Sequence, residues 1–445
     1  MLEKQHWMNY AAELMTEWKQ CRDEGRDVAG LEETCREISA LAGKSECREL
    51  AVKLREQLVN APVAENYPYE EPSGLAEIRA ALPEKRPSLS NTLSDAALSD
   101  KLAGAWVGRI SGCLLGKPLE GVMRDVITPL LKGTGNYPMT RYVEKRDFTA
   151  EIKELLGDRV GACWADTLDG MAPIDDDTNY TVLALKLVEE YGKDFRPNDV
   201  LEAWLNWVPM FATCTAERVA YRNAATGLCA PETATWCNPY REWIGAQIRG
   251  DFFGYINPGD PARAAEMAWR DASISHVRNG IYGEMYAAAL IAAAAVCGDM
   301  MTVIEAALDE IPAKCRLRRD IDQVIAWHAE GMDVLDVMDE IHRLYDEHDQ
   351  HDWCHTNSNA MIVTMALLYG GGDFGKTIGY AVMTGFDTDC NGATAGSVVG
   401  IMLGEGKIPD YWTSFYNRKL NTSISGYNVV TIDELAAKTL ELIKK

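Results

Sequence analysis

Gly104-Ala105-Trp106-Val107-Gly108-Arg109-Ile110-Ser111-Gly112-Cys113-Leu114-Leu115-Gly116 is the stretch on which the reading of this chain turns. Glycine recurs there at every fourth residue, and again at Gly392, Gly396, Gly400 and Gly404. Residues four apart share one face of a helix, so each row predicts a stripe of glycine along a helix. An interior glycine costs a helix about 0.8–1.0 kcal/mol relative to alanine, so rows of four imply a second backbone in close approach. A membrane-spanning pair is excluded, because Arg109 interrupts the first row and neither segment offers the roughly 20 apolar residues of a span. Both helices are expected in the crowded centre of the fold, holding whatever lies at their ends.

Outward from these rows the pattern is helix after helix from Ser94 on, with Ala-rich apolar stretches such as Ile281 to Val296 and Asn359 to Leu368 and almost no period-two alternation. Thr431-Ile432-Asp433-Glu434, leading into Leu435 and Leu440, reads as a capping box that opens a terminal helix. The expected fold is all-α, a compact multi-helix core over residues 91–445. Residues 1–90 read as an appendage: two or three amphipathic helices up to about residue 60, then a strap carrying Pro62, Pro68, Pro72, Pro83 and Pro87 with Tyr67 and Tyr69 between them. This N-terminal helical extension is expected to cover the active site, form a homodimer interface or bind a regulator, with contact to the core sought between Tyr67 and Pro72.

The 445 residues are 47% hydrophobic and 25% charged, ordinary for a folded chain. Forty-four Lys and Arg against 67 Asp and Glu leave a net charge of -23, which repels phosphate backbones and anionic lipid, so neither nucleic acid nor a membrane is expected as partner. The 12 cysteines contain no C-x-x-C pair, so neither a disulfide framework nor a zinc knuckle is suggested, and buried thiols in a reducing cytoplasm are expected. Met1-Leu2-Glu3-Lys4-Gln5-His6 carries charge where a signal peptide needs an apolar run.

What lies at the helix ends is acidic. Ile174-Asp175-Asp176-Asp177-Thr178-Asn179 precedes one helix, and Gly385-Phe386-Asp387-Thr388-Asp389-Cys390-Asn391 precedes the second glycine row. One Asp apiece serves as an N-cap, but capping does not need five. If the loops converge, like charges at short range require a cation between them, and oxygen ligands without histidine select Mg²⁺ or Mn²⁺ over zinc. The plain alternative is a pair of solvated helix caps.

I-D-D-D-T at 174–178 and G-F-D-T-D-C-N-G-A-T-A-G at 385–396, with G-C-L-L-G-K-P-L-E at 112–120, resemble the ADP-ribosylglycohydrolase family, which includes the dinitrogenase reductase-activating glycohydrolases. The resemblance spans about residues 100 to 405. It implies an all-α fold holding two Mg²⁺ or Mn²⁺ ions, with Asp176 and Asp177 matching the early aspartate ligands and Asp387 and Asp389 the late pair. Asp175 stands where the family has a threonine ligand and Cys390 where it has Ser or Thr; a thiol is a poor ligand for a hard cation, and Asn391 or water would take over. Glu120 matches a glutamate beside the metals, and is otherwise a surface residue after Pro118. The implied reaction is hydrolysis of an N- or O-glycosidic ribosyl bond, with Glu120 or a ligating aspartate such as Asp387 as general base. A catalytically inactive member that binds ribosyl ligands or serves structurally is the alternative that Cys390 and Asp175 leave open.

The substrate implied is an ADP-ribosyl conjugate, on a modified protein or free, or a smaller ribosyl compound. The smaller compound enters because the family's G-N-G-x-x-M-R segment is reduced here to Ile244-Gly245-Ala246-Gln247-Ile248-Arg249-Gly250. Ser275-His276 resembles a [ST]-H pair of the family, which marks His276 for substrate binding or for a structural role. His348, His351, Cys354 and His355 form a separate cluster with zinc-like spacing; in the other reading His355 and Asn357 reach the ribosyl pocket.

Overall fold

The computed structural model describes residues 6–84, 88–156 and 165–445, and in it the glycine rows face one another. The first lies on the helix Asp95–Gly116, the second on Thr388–Leu403. Gly104 meets Gly400, Gly108 meets Gly396, Gly112 meets Gly392, and Gly116 meets the Thr388–Asp389 peptide, so the helices run antiparallel. A Cβ on Gly108 or Gly112 would fall on the carbonyl of its partner, which is why alanine is not tolerated despite its higher helix propensity. Gly404 departs from the expected row. It lies one residue past the helix with φ +81° and ends it, its N–H bonded to Gly400 O at 2.9 Å, a position only glycine adopts without strain.

Around this pair the core is helical. Arg278–Ala294 and Thr356–Gly370 are buried along almost their whole length, which their Ala-rich, all-round apolar sequences require. The terminal helix Ile432–Lys444 opens with the capping box between Thr431 and Glu434 and lies against the first glycine helix, where Trp106 Nε1 donates to Thr439 Oγ1 at 3.2 Å. An antiparallel two-stranded ribbon departs from the all-helical pattern: Lys419–Asn421 pairs with Val429–Thr431, Leu420 opposite Val430. No helix among the described residues is long and apolar enough to cross a membrane.

The extension forms three helices, Leu14–Asp23, Glu32–Ala40 and Ser45–Asn60, around an apolar cluster of its own that includes Leu14, Cys21, Cys35 and Leu58. The strap is interrupted by a short helix, Leu75–Ala81, in the ten residues between Pro72 and Pro83 that carry no proline. The readings of Met1–Gln5 and of Pro87 lie outside the described residues. Contact between strap and core falls where it was expected: Tyr282 OH donates to Pro72 O, Glu70 N to Lys314 O at 2.9 Å, and Glu71 receives Arg316 Nε at 3.0 Å.

Candidate metal centre

Antiparallel packing puts the C-terminal end of the first glycine helix beside the N-terminal end of the second. The first runs out at Gly116, a single 3-10 turn follows over Lys117–Leu119, and Glu120 comes next, exposed. The second begins at Thr388, with Asp387 immediately before it and Asp389 in its first turn. The third contributor is the helix Asp176–Tyr191, whose N-cap is Asp175, with Oδ1 accepting from Asp177 N at 2.9 Å. Oxygens of Asp175, Asp176 and Asp177 lie within 4.8 Å of one another, as do ligand atoms of Asp177, Asp389 and Cys390, and of Asp175, Asp389 and Cys113. The loops converge.

Two cations are already in place and both are taken. Arg109, fully buried in the glycine helix, reaches Asp177 Oδ1 at 2.9 Å and Asp251 Oδ2 at 3.2 Å, and donates to Ile248 O at 2.6 Å. Lys117 is ion-paired with Asp175 Oδ2. The Cys390 thiol donates to Asp177 Oδ2 at 3.1 Å, and burial together with Asp177 and its neighbours holds its pKa well above the ordinary thiol value. Cys390 therefore serves here as a protonated donor to Asp177. In the sequence Arg109 stands out only as an interruption of the glycine row, and Lys117 does not stand out. A lone charge inside a small-residue helix was the available signal, since such a charge must find a buried partner.

The remaining carboxylates have no cation. Repulsion by Asp389, ahead of desolvation, pushes exposed Glu120 up to about 9. Burial, then Asp175 and Asp389, raises Asp176 to about 7. Burial and Asp175 raise Asp389 to about 6, and burial with Asp389 holds Asp387 well above the carboxylate range. Asp389 Oδ1 is buried without a hydrogen-bond partner, and so is Asn391 Oδ1 two residues along the same helix, while Asn391 Nδ2 donates to Asn359 Oδ1 at 2.8 Å. A hard, oxygen-only donor set with unpartnered lone pairs fits Mg²⁺ or Mn²⁺.

The other expected site residues lie elsewhere. His276 is buried, its Nδ1 2.8 Å from Ser275 Oγ; burial and nearby Arg249 hold it neutral. Arg249 is itself consumed by Glu217 Oε1 at 2.7 Å and Asp271 Oδ1 at 2.5 Å. His355 lies near Asp23 of the extension, and Asn357 Nδ2 donates to Asp320 Oδ2 of the core at 2.7 Å. The zinc cluster does not form as spaced: His348 groups with Asp125 and Glu347, whereas His351 and His355 group with Asp23. In both latter rings Nδ1 accepts an N–H, from Trp243 Nε1 and from Asn357 N, so the nitrogen facing Asp23 carries the proton and has no lone pair for a metal.

The sequence model of the ADP-ribosylglycohydrolase family matches residues 94–443. The chain belongs to the ADP-ribosylglycohydrolase family. The family match opens at Ser94, the N-cap of the first glycine helix, and leaves the extension outside. Among solved structures, an "ADP-ribosylglycohydrolase-related protein complex" is 20% identical to this glycohydrolase-family chain, with a TM-score of 0.46 over 78% of this chain and 99% of that one. No curated protein sequence matches the chain.

Proposed function

We propose that this chain hydrolyses an N- or O-glycosidic ribosyl bond at a dinuclear Mg²⁺ or Mn²⁺ centre held by Asp175, Asp176, Asp177, Asp387 and Asp389. The observation that carries the reading is the excess of acid at the seam's end: Arg109 and Lys117 match Asp177 and Asp175, while Asp176, Asp387, Asp389 and Glu120 have no positive partner. Bound ions would supply charge neutralisation, a grip on ribose hydroxyls and acidification of a water. Arg109 and Lys117 hold two of the aspartates in place, and Asn391, anchored by Asn359, keeps its Oδ1 without a partner. Glu120, raised by like charge and at the exposed edge, or a ligating aspartate such as Asp387 would take the proton of the attacking water once the neighbouring charge is neutralised. Water oxygen bonds to the anomeric carbon, the C–N or C–O bond breaks, and the leaving group receives the proton. The substrate is an ADP-ribosyl conjugate or a smaller riboside.

A panel of ADP-ribosyl-arginine, ADP-ribosyl-serine peptide, O-acetyl-ADP-ribose and plain nucleosides, followed by mass spectrometry with Mg²⁺ or EDTA, tests this. Cleavage of one member by wild type, lost in EDTA and in Asp387→Ala, is the expected result. Cleavage indifferent to EDTA would overturn the metal centre. Metal binding without turnover of any member would favour an inactive ribosyl-binding chain, the reading that the Cys390–Asp177 hydrogen bond supports.

A further inference from the structure

The helix Val334–Leu344 and the turn after it reach both the loop that follows Glu120 and the loop that precedes Asp387. Glu347, 5% exposed in that turn, accepts at Oε1 from Arg124 N at 2.8 Å, four residues after Glu120. Its Oε2 lies against Gly385, 2.6 Å from where a Cβ would stand, and the Phe386 N–H favours its charged form. His342 Nε2 is 2.7 Å from Thr384 O; a carbonyl only accepts, so Nε2 carries the proton and donates. The His342 ring also packs on Phe386, with centroids 4.9 Å apart. A second tie to the first loop comes from Asp339 Oδ1, which takes Arg124 Nη1 at 2.7 Å.

The second loop is one that local backbone preference does not hold. Gly385 has φ +90° and Phe386 φ +56°, the left-handed region that a bulky side chain rarely adopts. Asp387 follows at once and Asp389 two residues on, so a rotation of that backbone would swing both carboxylates. Like charge presses in the same direction: Asp389 is the largest influence on Glu120, and without a cation the two loops repel. A buried carboxylate that accepts from one loop and abuts the other sets their separation against that repulsion. Groups that orient metal ligands without touching the ion change affinity by about 10- to 100-fold when removed.

We propose that Glu347 is a positioning residue that sets the Glu120 loop against Asp387 and Asp389 for metal binding, an inference that rests on the dinuclear reading above. Calorimetric titration of the full chain with Mn²⁺, paired with thermal melts in EDTA, tests it on wild type, Glu347→Ala, Glu347→Gln and Asp125→Asn. Asp125 is exposed and brings a carboxylate oxygen within 4.8 Å of Glu347 and His348, so its loss removes a similar charge and leaves the Arg124 and Gly385 contacts in place. Glu347→Ala should weaken Mn²⁺ by about tenfold or more, and Glu347→Gln, which keeps an acceptor for Arg124 N, by less. Asp125→Asn should change it by less than about twofold. A purely structural role would lower the melt and leave the affinity alone. Glu347→Ala, or Glu347→Gln should the alanine variant not fold, binding Mn²⁺ as wild type does would overturn the proposal. An equal loss in Asp125→Asn would overturn it too, by ascribing the effect to charge or to an ion on Asp125, Glu347 and His348. Wild type that binds no Mn²⁺ would remove the dinuclear centre and this inference with it, so the two failures are told apart by the wild-type titration.

Discussion

Two regions of this molecule bury several acids, and they treat them differently. At the junction of extension and core, Glu17 and Glu24 flank Arg241 at 2.6 and 2.8 Å, and Glu71 and Glu242 flank Arg316 at 3.0 and 2.6 Å. Burial pushes the Glu24 and Glu242 carboxyls up, but Arg241 and Arg316 pull harder and hold them below the ordinary value. At the ends of the glycine helices the same burial meets too few cations, and Glu120, Asp176, Asp387 and Asp389 are all raised, as is Asp177 despite Arg109. Density of acid is therefore not the mark of a site; the ratio of acid to positive partner is.

The largest expected effect breaks the comparison from the side of its cations. Arg109→Met leaves Asp177 and Asp251 buried and unpaired, and should cost about 3–5 kcal/mol in urea unfolding. Arg316→Met should cost a similar about 3–5 kcal/mol and free the extension for proteolysis ahead of residue 90. A loss under about 1 kcal/mol in either variant would mean that the acids are neutral and the contrast false.

Next comes the response to metal. Mn²⁺ at a hundred times its dissociation constant should stabilise wild type by about 2.7 kcal/mol, and Asp389→Asn should abolish the gain while Arg319→Gln keeps it. Equal stabilisation of Asp389→Asn would place the ion elsewhere.

The two regions should also answer pH with opposite sign. Asp176 and Asp389 have folded values of about 7 and about 6 against 3.8, so their contribution is complete below pH 3.8 and is lost as pH rises through 6 to 7. Glu24 and Glu242 lie below 4.5 when folded, so their contribution is present above pH 4.5 and lost as pH falls through their folded values. Denaturant melts in EDTA should fall in stability from pH 5 to 8, and saturating Mn²⁺ should flatten that limb. An unchanged limb with metal would show that the two are unconnected. The smallest effect is expected of Cys390→Ser, which exchanges a weak donor for a better one beside Asp177 and should alter stability by under about 1 kcal/mol while tightening Mn²⁺.

The legible and illegible parts of this chain divide by range. Period-four glycine, helix caps at Asp175 and Thr431 and the proline spacing of the strap are local signals, and the structure follows them except at Gly404, the helix Leu75–Ala81 and the short ribbon after Lys419. The motifs that led to the family were legible for the same reason, since each lies within a dozen residues. Which histidine faces which neighbour was not legible: His355 and Asn357 are four and two residues from Asn359, yet they lie by Asp23 and Asp320 while Asn359 holds Asn391.

The sequence by itself determined that each glycine helix would admit another backbone closely and that acid would gather at helix starts, because periodicity and capping depend only on near neighbours. Only the tertiary structure decided the antiparallel register that sets Glu120 beside Asp389, and the assignment of Arg109 to Asp177 and Lys117 to Asp175. Those depend on residues 58 to nearly 300 positions apart in the chain, and a charge finds its partner by distance in space, which no local pattern encodes.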